Sequence, residues 1–493
     1  MTITLNDLLR RNANNWPKQI AAADADRTFS YQELEEQVNV WQHYLSDQGI
    51  GKGDIVAFLG ENRPEYLMLL FALARLGAVL LPLNFRLVED ELSYILKHSQ
   101  AKGLFYSDSY AATAQALHQQ IEPLAWLAPL GQLVDAAPVD LSAVPVADVV
   151  ASDPMVVMYT SGTTGRPKGC LQSHRALLAT IGNYNNNFGL DNVRTHLVAV
   201  PLFHVGGLGS TMATLGAAGT CVFCPEIRED IVFSLIEKYR VESILFTPPT
   251  VRQLATSPLR KQFDISSLKV MVGPSGMESA ETLELVRENL GVKFFGIYGQ
   301  TEAAGAIITS SDEELKLRSN SYGHEQLYYA ARIVDDQGND VDEGELILRG
   351  PTLMSGYLHN EEATAAAFRD GWYYTGDVFR RETDGSLTMK DRKKYLIKTG
   401  GENVYPSEIE LPLREHQAVV DVCVLGVTDE HWGEKVVAFV QQEESQALSE
   451  EQLSDYLRTK VARYKVPKQW LMVSEIPRNH SGKVLRDSLL DQL

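Results

Sequence analysis

The run Pro154-Met-Val-Val-Met-Tyr-Thr-Ser-Gly-Thr-Thr-Gly-Arg-Pro-Lys-Gly169 decides how the chain reads. Its first six residues form an apolar strand. Thr160, Ser161, Gly162, Thr163, Thr164 and Gly165 then pack hydroxyls between glycines, and Lys168 closes the loop. Such a loop can turn successive backbone N–H groups inward and surround a polyphosphate with donors. It is not the Walker phosphate loop, because no Lys-Ser or Lys-Thr pair follows a glycine at the required spacing. Taken alone, the stretch also fits a flexible Ser/Thr/Gly surface turn.

Outward from that loop, composition sets bounds. A chain of 493 residues exceeds one ordinary core, so two or more domains are expected. Hydrophobic residues at 44% and charged residues at 22% are those of a globular protein. A net charge of −19 argues against a nucleic-acid partner. Any site for an anionic nucleotide must therefore be made positive locally, by a few lysines, arginines and loop amides. Residues after Met1 lack the apolar core of a signal peptide. The apolar run Leu67 to Leu83 is broken by Arg75, Gly77 and Pro82, so no membrane span is expected. Four cysteines, at 170, 221, 224 and 423, make no disulfide framework. Cys221-Val-Phe-Cys224 has redox spacing but lies in an apolar run, which favours buried thiols. A cytoplasmic setting follows as the expectation.

Strand patterns at Ile55–Leu59, Leu197–Pro201, Thr220–Phe223, Ser243–Phe246, Val270–Val272 and Phe294–Ile297 alternate with helices such as Arg63 to Leu76. The fold class expected is α/β, with a large N-terminal domain of layered, mostly parallel sheets over residues 1–393. A small α+β domain is expected over residues 394–493. Within it Glu408 to His416 reads as a helix that Pro412 should kink or stop early. Ser449-x-x-Gln452 reads as the capping box of a helix running to about Arg463. Ala136 to Asp153 reads as a surface connection.

Four further motifs follow in order: Tyr298-Gly-Gln-Thr-Glu302, Tyr374-Thr-Gly-Asp377, Asp391-Arg392 leading into Gly400-Gly-Glu-Asn403, and Pro477-Arg-Asn-His-Ser-Gly-Lys483. With the phosphate loop they span nearly the whole chain, which resembles the adenylate-forming superfamily of acyl-CoA synthetases, peptide-synthetase adenylation domains and luciferases. The resemblance is to its AMP-forming carboxylate–CoA ligase branch and implies ATP, Mg²⁺ and coenzyme A.

By that resemblance Thr160 to Lys168 hold the β- and γ-phosphates, the Thr301 hydroxyl meets the α-phosphate, and Glu302 holds Mg²⁺. Tyr298, on the Gly299-Gln300 turn, sandwiches adenine against Ser275, Gly276 and Met277. Asp377 accepts the ribose hydroxyls, with Arg392 near ribose and phosphates. Lys483 bridges the carboxylate and α-phosphate during adenylation. The resemblance also implies rotation of the small domain about Lys394. Lys398, Gly400 and Gly401 would then come to the site for thioester formation, with Trp432, Tyr464 and Lys465 near the CoA nucleotide.

The acid end is marked by His204, Gly206, Gly207 and Gly209 and by Ala303 to Ala306, small residues that leave room for an acyl or aryl tail. Relatives that adenylate amino acids carry an Asp near the first of these, and His204 stands there instead. Tyr322 to Ala330 replaces a Gly/Pro-containing turn usual in relatives. Substrates expected are ATP, CoA and a fatty or aryl acid. The alternatives are a stand-alone adenylation enzyme that loads an acyl or peptidyl carrier protein, and a non-catalytic nucleotide-binding protein. Monomer and homodimer both remain open.

Overall fold

A computed structural model describes residues 3–122, 124–133, 147–160, 167–187, 194–276, 278–399, 402–429, 432–443, 448–479 and 483–493. Of the candidate residues, Ser161, Gly162, Thr163, Thr164, Gly165, Met277, Gly400 and Gly401 lie outside these, as does most of the Ala136–Asp153 connection. The chain forms two compact units: 1–331 with 348–373 and 385–387, and 332–347 with 374–384 and 388–493. The boundary expected at 393/394 falls inside the second unit. It was drawn as a hinge, and packing and mobility are different properties.

Two sheets carry the first unit. Among the described residues one has seven strands, ordered Gly356–Tyr357, Lys168–Ser173, Pro154–Thr160, Val79–Pro82, Ile55–Leu59, Gly103–Tyr106 and Trp126–Pro129. From Pro154–Thr160 to Trp126–Pro129 neighbours run parallel, and the antiparallel hairpin lies at the phosphate-loop edge. The other has nine strands, with a parallel centre from Lys293–Gln300 to Ile20–Ala23 and antiparallel edges. Helix Glu65–Leu76 is apolar nearly all round and buried along its length except at Arg75. That pattern suits a helix in the middle of a core. Its cluster takes Val56, Leu80 and Val156 from one sheet and Ala22, Val198 and Phe223 from the other.

Most expected strands form within a residue or two of their reading. Leu197–Pro201 is an exception, since the strand is Thr195–Val198. Beyond it, the Asn62 amide donates to the carbonyls of Val198 and Val200, and its oxygen accepts from Leu202 N. A side chain thus takes the backbone groups that a neighbouring strand would have bonded.

In the second unit, Gly433–Gln442 pairs antiparallel with Val419–Asp429 and with Ile397–Thr399, and parallel with Gln469–Met472. Alternate strand residues face opposite ways. Val422, Val424, Val436, Ala438 and Val440 pack under helices Pro406–Arg414 and Glu450–Arg458, whereas Cys423, Leu425, Val437 and Phe439 face Ile476 and Leu489. Pro412 sits inside the first helix, which stops two residues later at Arg414 rather than His416. The capping box of Ser449 and Gln452 is present, but its helix ends at Arg458 and not near Arg463. There the Thr459 N–H and hydroxyl both turn back to the Tyr456 carbonyl. All four cysteines are buried and free. Among the described residues no helix is long and apolar enough to cross a membrane.

Candidate active site

In the first unit the loop starting at Thr160 is closed by strand pairing, Tyr159 against Gly169 and Thr160 against Lys168. The Thr301-Glu302-Ala303 turn is drawn to the strand that leaves this loop. Gln172 Nε2 donates to the Thr301 carbonyl, and Met354 N donates to that of Glu302 at 2.8 Å. The turn ends with Ala304 at φ +54, a left-handed conformation that non-glycine residues adopt at a cost. Tyr357 Oη donates to Glu302 Oε1 at 3.0 Å. Lys168 Nζ stands 5.1 Å from the centre of the same tyrosine ring. Burial first, then the Glu302 carboxylate, pushes the Tyr357 hydroxyl far above its ordinary range, so it remains a donor. Tyr373 Oη donates to Gln300 Oε1 at 2.7 Å, and Gln300 Nε2 donates to Tyr298 Oη at 3.1 Å. Gln300 and Glu302 are therefore each held by tyrosines.

Ser275 and Gly276 follow strand Val270–Pro274, which pairs with the strand carrying Tyr298, and Ser275 N donates to the Ile297 carbonyl at 2.9 Å. Gly276 has φ +69 and lies under the Tyr322 ring, where a Cβ would come within 2.4 Å. Tyr322 also meets Tyr298 edge-on, with centroids 6.1 Å apart. Of the residues expected to enclose adenine, Tyr298, Ser275 and Gly276 thus come together, joined by Tyr322, while Met277 lies outside the described residues. Gly299 lies against the Gly305 carbonyl, which would stand 2.1 Å from a Cβ.

At the acid end, helix Val205–Gly216 begins at His204, whose Nδ1 accepts from Gly206 N at 3.1 Å. His204 therefore caps the helix, a role not read from the sequence. A Cβ on Gly207 would press within 2.6 Å of the Val200 and Pro201 carbonyls, so glycine is required for that close approach. Helix His174–Asn187 is tied to the other acid-end segment, since Thr180 Oγ1 donates to the Ala304 carbonyl at 3.1 Å. Between the two sits buried Tyr184. A Cβ on Gly209 would lie 2.7 Å from its ring, and one on Gly305 would lie 2.9 Å from its hydroxyl. Around it are Val200, Ala213, Leu245, Val272 and Ala306. Ala303 takes a hydrogen bond from Tyr329 Oη on its carbonyl, and Tyr328 N donates to Asn183 Oδ1 at 3.1 Å. The divergent Tyr322–Ala330 segment thus packs on the acid end.

In the second unit Asp377 is 2% exposed and pairs with Arg392, Nε to Oδ1 at 3.3 Å. Gly376, at φ +71, donates its N–H to Glu345 Oε1 and turns the chain into Asp377. Lys394 Nζ lies 4.4 Å from the Tyr395 ring centre, and the Arg486 guanidinium 4.1 Å from it. Burial, with Arg392 and Arg486 nearby, lowers the Lys394 ammonium to about 8. Lys483 is presented by a turn in which Asn479 N donates to its carbonyl at 2.8 Å and Lys483 N donates to Asn479 Oδ1 at 3.0 Å.

Thr399 pairs antiparallel with Gly433, which puts Lys398 beside Glu434, whose Oε2 accepts from Lys398 N at 2.6 Å. Trp432 is 39% exposed and has Lys468 Nζ 5.2 Å from a ring centre. Lys465 does not stand as an open cation: its ammonium is 2.8 Å from Glu408, while it lies 5.7 Å from the Tyr464 ring.

Sequence reasoning named Tyr322 only as part of a divergent segment and missed Tyr357, Tyr373 and Lys468. Only pairing across the fold identifies them, since Tyr357 is 55 residues from Glu302 and Tyr373 is 73 from Gln300.

Known proteins resemble the chain along most of its length. Residues 9–358 match the family described as AMP-binding enzyme, and residues 408–483 match the AMP-binding enzyme C-terminal domain. The chain is 34% identical to indoleacetate–CoA ligase of Aromatoleum aromaticum, over 98% of this chain and 97% of that one. It is 30% identical to a long-chain-fatty-acid–CoA ligase of Mycobacterium tuberculosis, over 98% and 97%. It also resembles o-succinylbenzoate CoA synthetase of Bacillus subtilis, solved with its acyl-adenylate intermediate. There the TM-score is 0.88 and identity 27%, covering 99% of this chain and 98% of that chain.

Proposed function

Since the chain belongs to the AMP-binding enzymes and is an AMP-forming acid–thiol ligase using ATP, Mg²⁺ and CoA, we propose that its acid is a compact aryl or arylalkyl carboxylic acid. The observation that carries this reading is Tyr184. Its ring fills the space between Gly209 and Gly305, in one cluster with Ala306, and a long alkyl tail would need that space. Indoleacetate and o-succinylbenzoate, named for two of the relatives, are compact aryl acids; the third relative's long-chain acid is the competing substrate.

Adenylation joins a carboxylate oxygen to the α-phosphorus of ATP as the bond to pyrophosphate breaks. Two anions meet, so neutralising charge and aligning the groups dominate the task. Lys168 and the loop from Thr160 bind the outer phosphates, and Thr301 orients the α-phosphate. Among the described residues no group of three or more His, Cys, Asp or Glu gathers as a metal cage. Glu302 offers one carboxylate, a donor set that suits a hard cation otherwise held by phosphate oxygens and water. Mg²⁺ bound there supplies positive charge against the phosphates.

Tyr298 with Ser275 and Gly276 holds adenine, and Asp377 with Arg392 holds the ribose. Lys483 neutralises the approaching carboxylate. In the second step the CoA sulfur bonds the acyl carbon, AMP leaves, and the thiol proton is lost to solvent. Lys398, Trp432, Tyr464 and Lys465 serve that step, reached by rotation at Lys394. The domain division proposed on this reading is 1–393 and 394–493.

A panel of aryl, arylalkyl and C8–C16 alkyl acids, assayed by pyrophosphate release with and without CoA, tests the substrate class. The expected result is kcat/KM about tenfold or more in favour of the aryl acids, the scale of a misfitted apolar pocket. A preference for the longer alkyl acids overturns it.

A further inference from the structure

Tyr357 touches both charged groups of opposite sign on which nucleotide binding is read to depend. Its hydroxyl donates to Glu302 Oε1 at 3.0 Å, and its ring face stands 5.1 Å from Lys168 Nζ. The backbone that carries it is fixed three times over. Tyr357 pairs with Cys170 across the strand leaving the phosphate loop, its N–H donates to Thr364 Oγ1 at 2.9 Å, and Leu358 N donates to the Gly169 carbonyl at 2.8 Å. The loop's return strand and the Tyr357 ring therefore move as one piece.

We propose that Tyr357 is a positioning residue that pre-sets the distance between the metal-side carboxylate and the phosphate-side lysine. This rests on reading Glu302 as the carboxylate that faces Mg²⁺. With Oε1 occupied by the phenol, Oε2 is the oxygen presented to a cation, so Glu302 acts through one oxygen. The ring meanwhile offers Lys168 its negative π-face, which holds the ammonium without neutralising it. A direct Lys168–Glu302 ion pair would cancel the charge that each must offer the nucleotide. A tyrosine between them holds both and cancels neither.

The test uses the full chain and binding, apart from turnover. Calorimetric affinities for MgATP and for AMP without metal are compared in wild type, Tyr357→Phe, Glu302→Gln and the double variant. Tyr357→Phe keeps the ring and should melt like wild type. Its MgATP affinity should fall about tenfold, the scale of one hydrogen bond to a charged group, while AMP affinity stays within about twofold of wild type. In the Glu302→Gln background the same change should add less than about twofold, because the two residues act as a unit. Unchanged MgATP affinity in Tyr357→Phe, equal losses for MgATP and AMP, or full additivity with Glu302→Gln would each overturn the proposal. Wild-type MgATP affinity in Glu302→Gln itself would instead overturn the metal reading beneath it, and the proposal with it. Should Tyr357→Phe melt early, Tyr357→His keeps a donor, and MgATP affinity closer to wild type than in Tyr357→Leu is the expected outcome; equal losses in those two overturn the proposal.

Discussion

Tyr184 and Gly209 compete for one space: a Cβ on the glycine would lie 2.7 Å from the tyrosine ring and 2.8 Å from its hydroxyl oxygen. Neither position is free to change without the other. Tyr184→Ala should therefore open a cavity and raise activity on C8–C12 alkyl acids relative to aryl acids by about tenfold or more. It should also lower stability by about 3–5 kcal/mol, the usual cost of emptying a buried aromatic site. Ratios of kcat/KM across the acid panel check the first effect, and urea unfolding the second. An unchanged ranking would remove Tyr184 from the acid pocket.

Glu302→Gln and Lys168→Ala each delete one placed charge. Either should slow adenylation by about 10²–10³, the scale of one preorganised charge-stabilising group. Pyrophosphate release at saturating acid is the measurement, and near-wild-type rates would sink both assignments.

His204 has two roles to separate. As the N-cap that accepts from Gly206 N, its loss costs about 1 kcal/mol of stability. If it also borders the acid, His204→Ala changes the ranking of acids more than it changes ATP affinity. His204→Asn restores a capping oxygen and should recover the stability alone. Equal loss on every acid together with weaker ATP binding would assign His204 to the fold.

Separate lysines are proposed for separate half-reactions. Lys483→Ala should abolish acyl-adenylate formation yet still pass a synthetic acyl-adenylate to CoA. Lys394→Pro fixes φ at the proposed hinge and should do the reverse. Single-turnover assays of each half-reaction distinguish the two, and parallel loss of both would favour one rigid site.

Glu278 gives a pH signature. Among the described residues its Oε1 is buried without a hydrogen-bond partner, and burial raises the carboxyl from 4.5 to about 7, with Arg252 opposing the shift. Between those values the folded protein keeps a proton that the unfolded chain has released, so stability falls as pH rises across that window. Glu278→Gln should remove this slope and raise Tm more at pH 8 than at pH 5. Melting curves from pH 5 to 8 with no difference in slope would show that the carboxyl ionises normally.

The sequence disclosed elements and motifs, and it withheld partners. Strand Thr220–Phe223 and the Ser449 capping box were legible because a short apolar run and a capping pattern are local signals. Strand Thr195–Val198 stops short because Asn62, distant in sequence, takes its backbone groups. The same distance hid Tyr357 and Tyr373, which matter only through contacts made by the finished fold. His204 was read for its chemistry, whereas its lone pair is spent on a helix end. Pro412 was read as a kink or an early stop, and the helix runs through it to end two residues beyond, at Arg414 rather than His416.

The four thiols have a practical consequence. Cys170, Cys221, Cys224 and Cys423 are buried, and burial lifts every one of them, Cys224 and Cys423 to about 12. Thiolate is the species that alkylates, so the native cysteines are nearly inert to maleimide at neutral pH. Leu317, 90% exposed in the first unit, and Met472, 45% exposed in the second, can each be replaced by a cysteine that labels alone. Fluorophores at those two points, on an otherwise native background, convert the proposed rotation into a distance followed in real time as ATP, acid and CoA are added in turn.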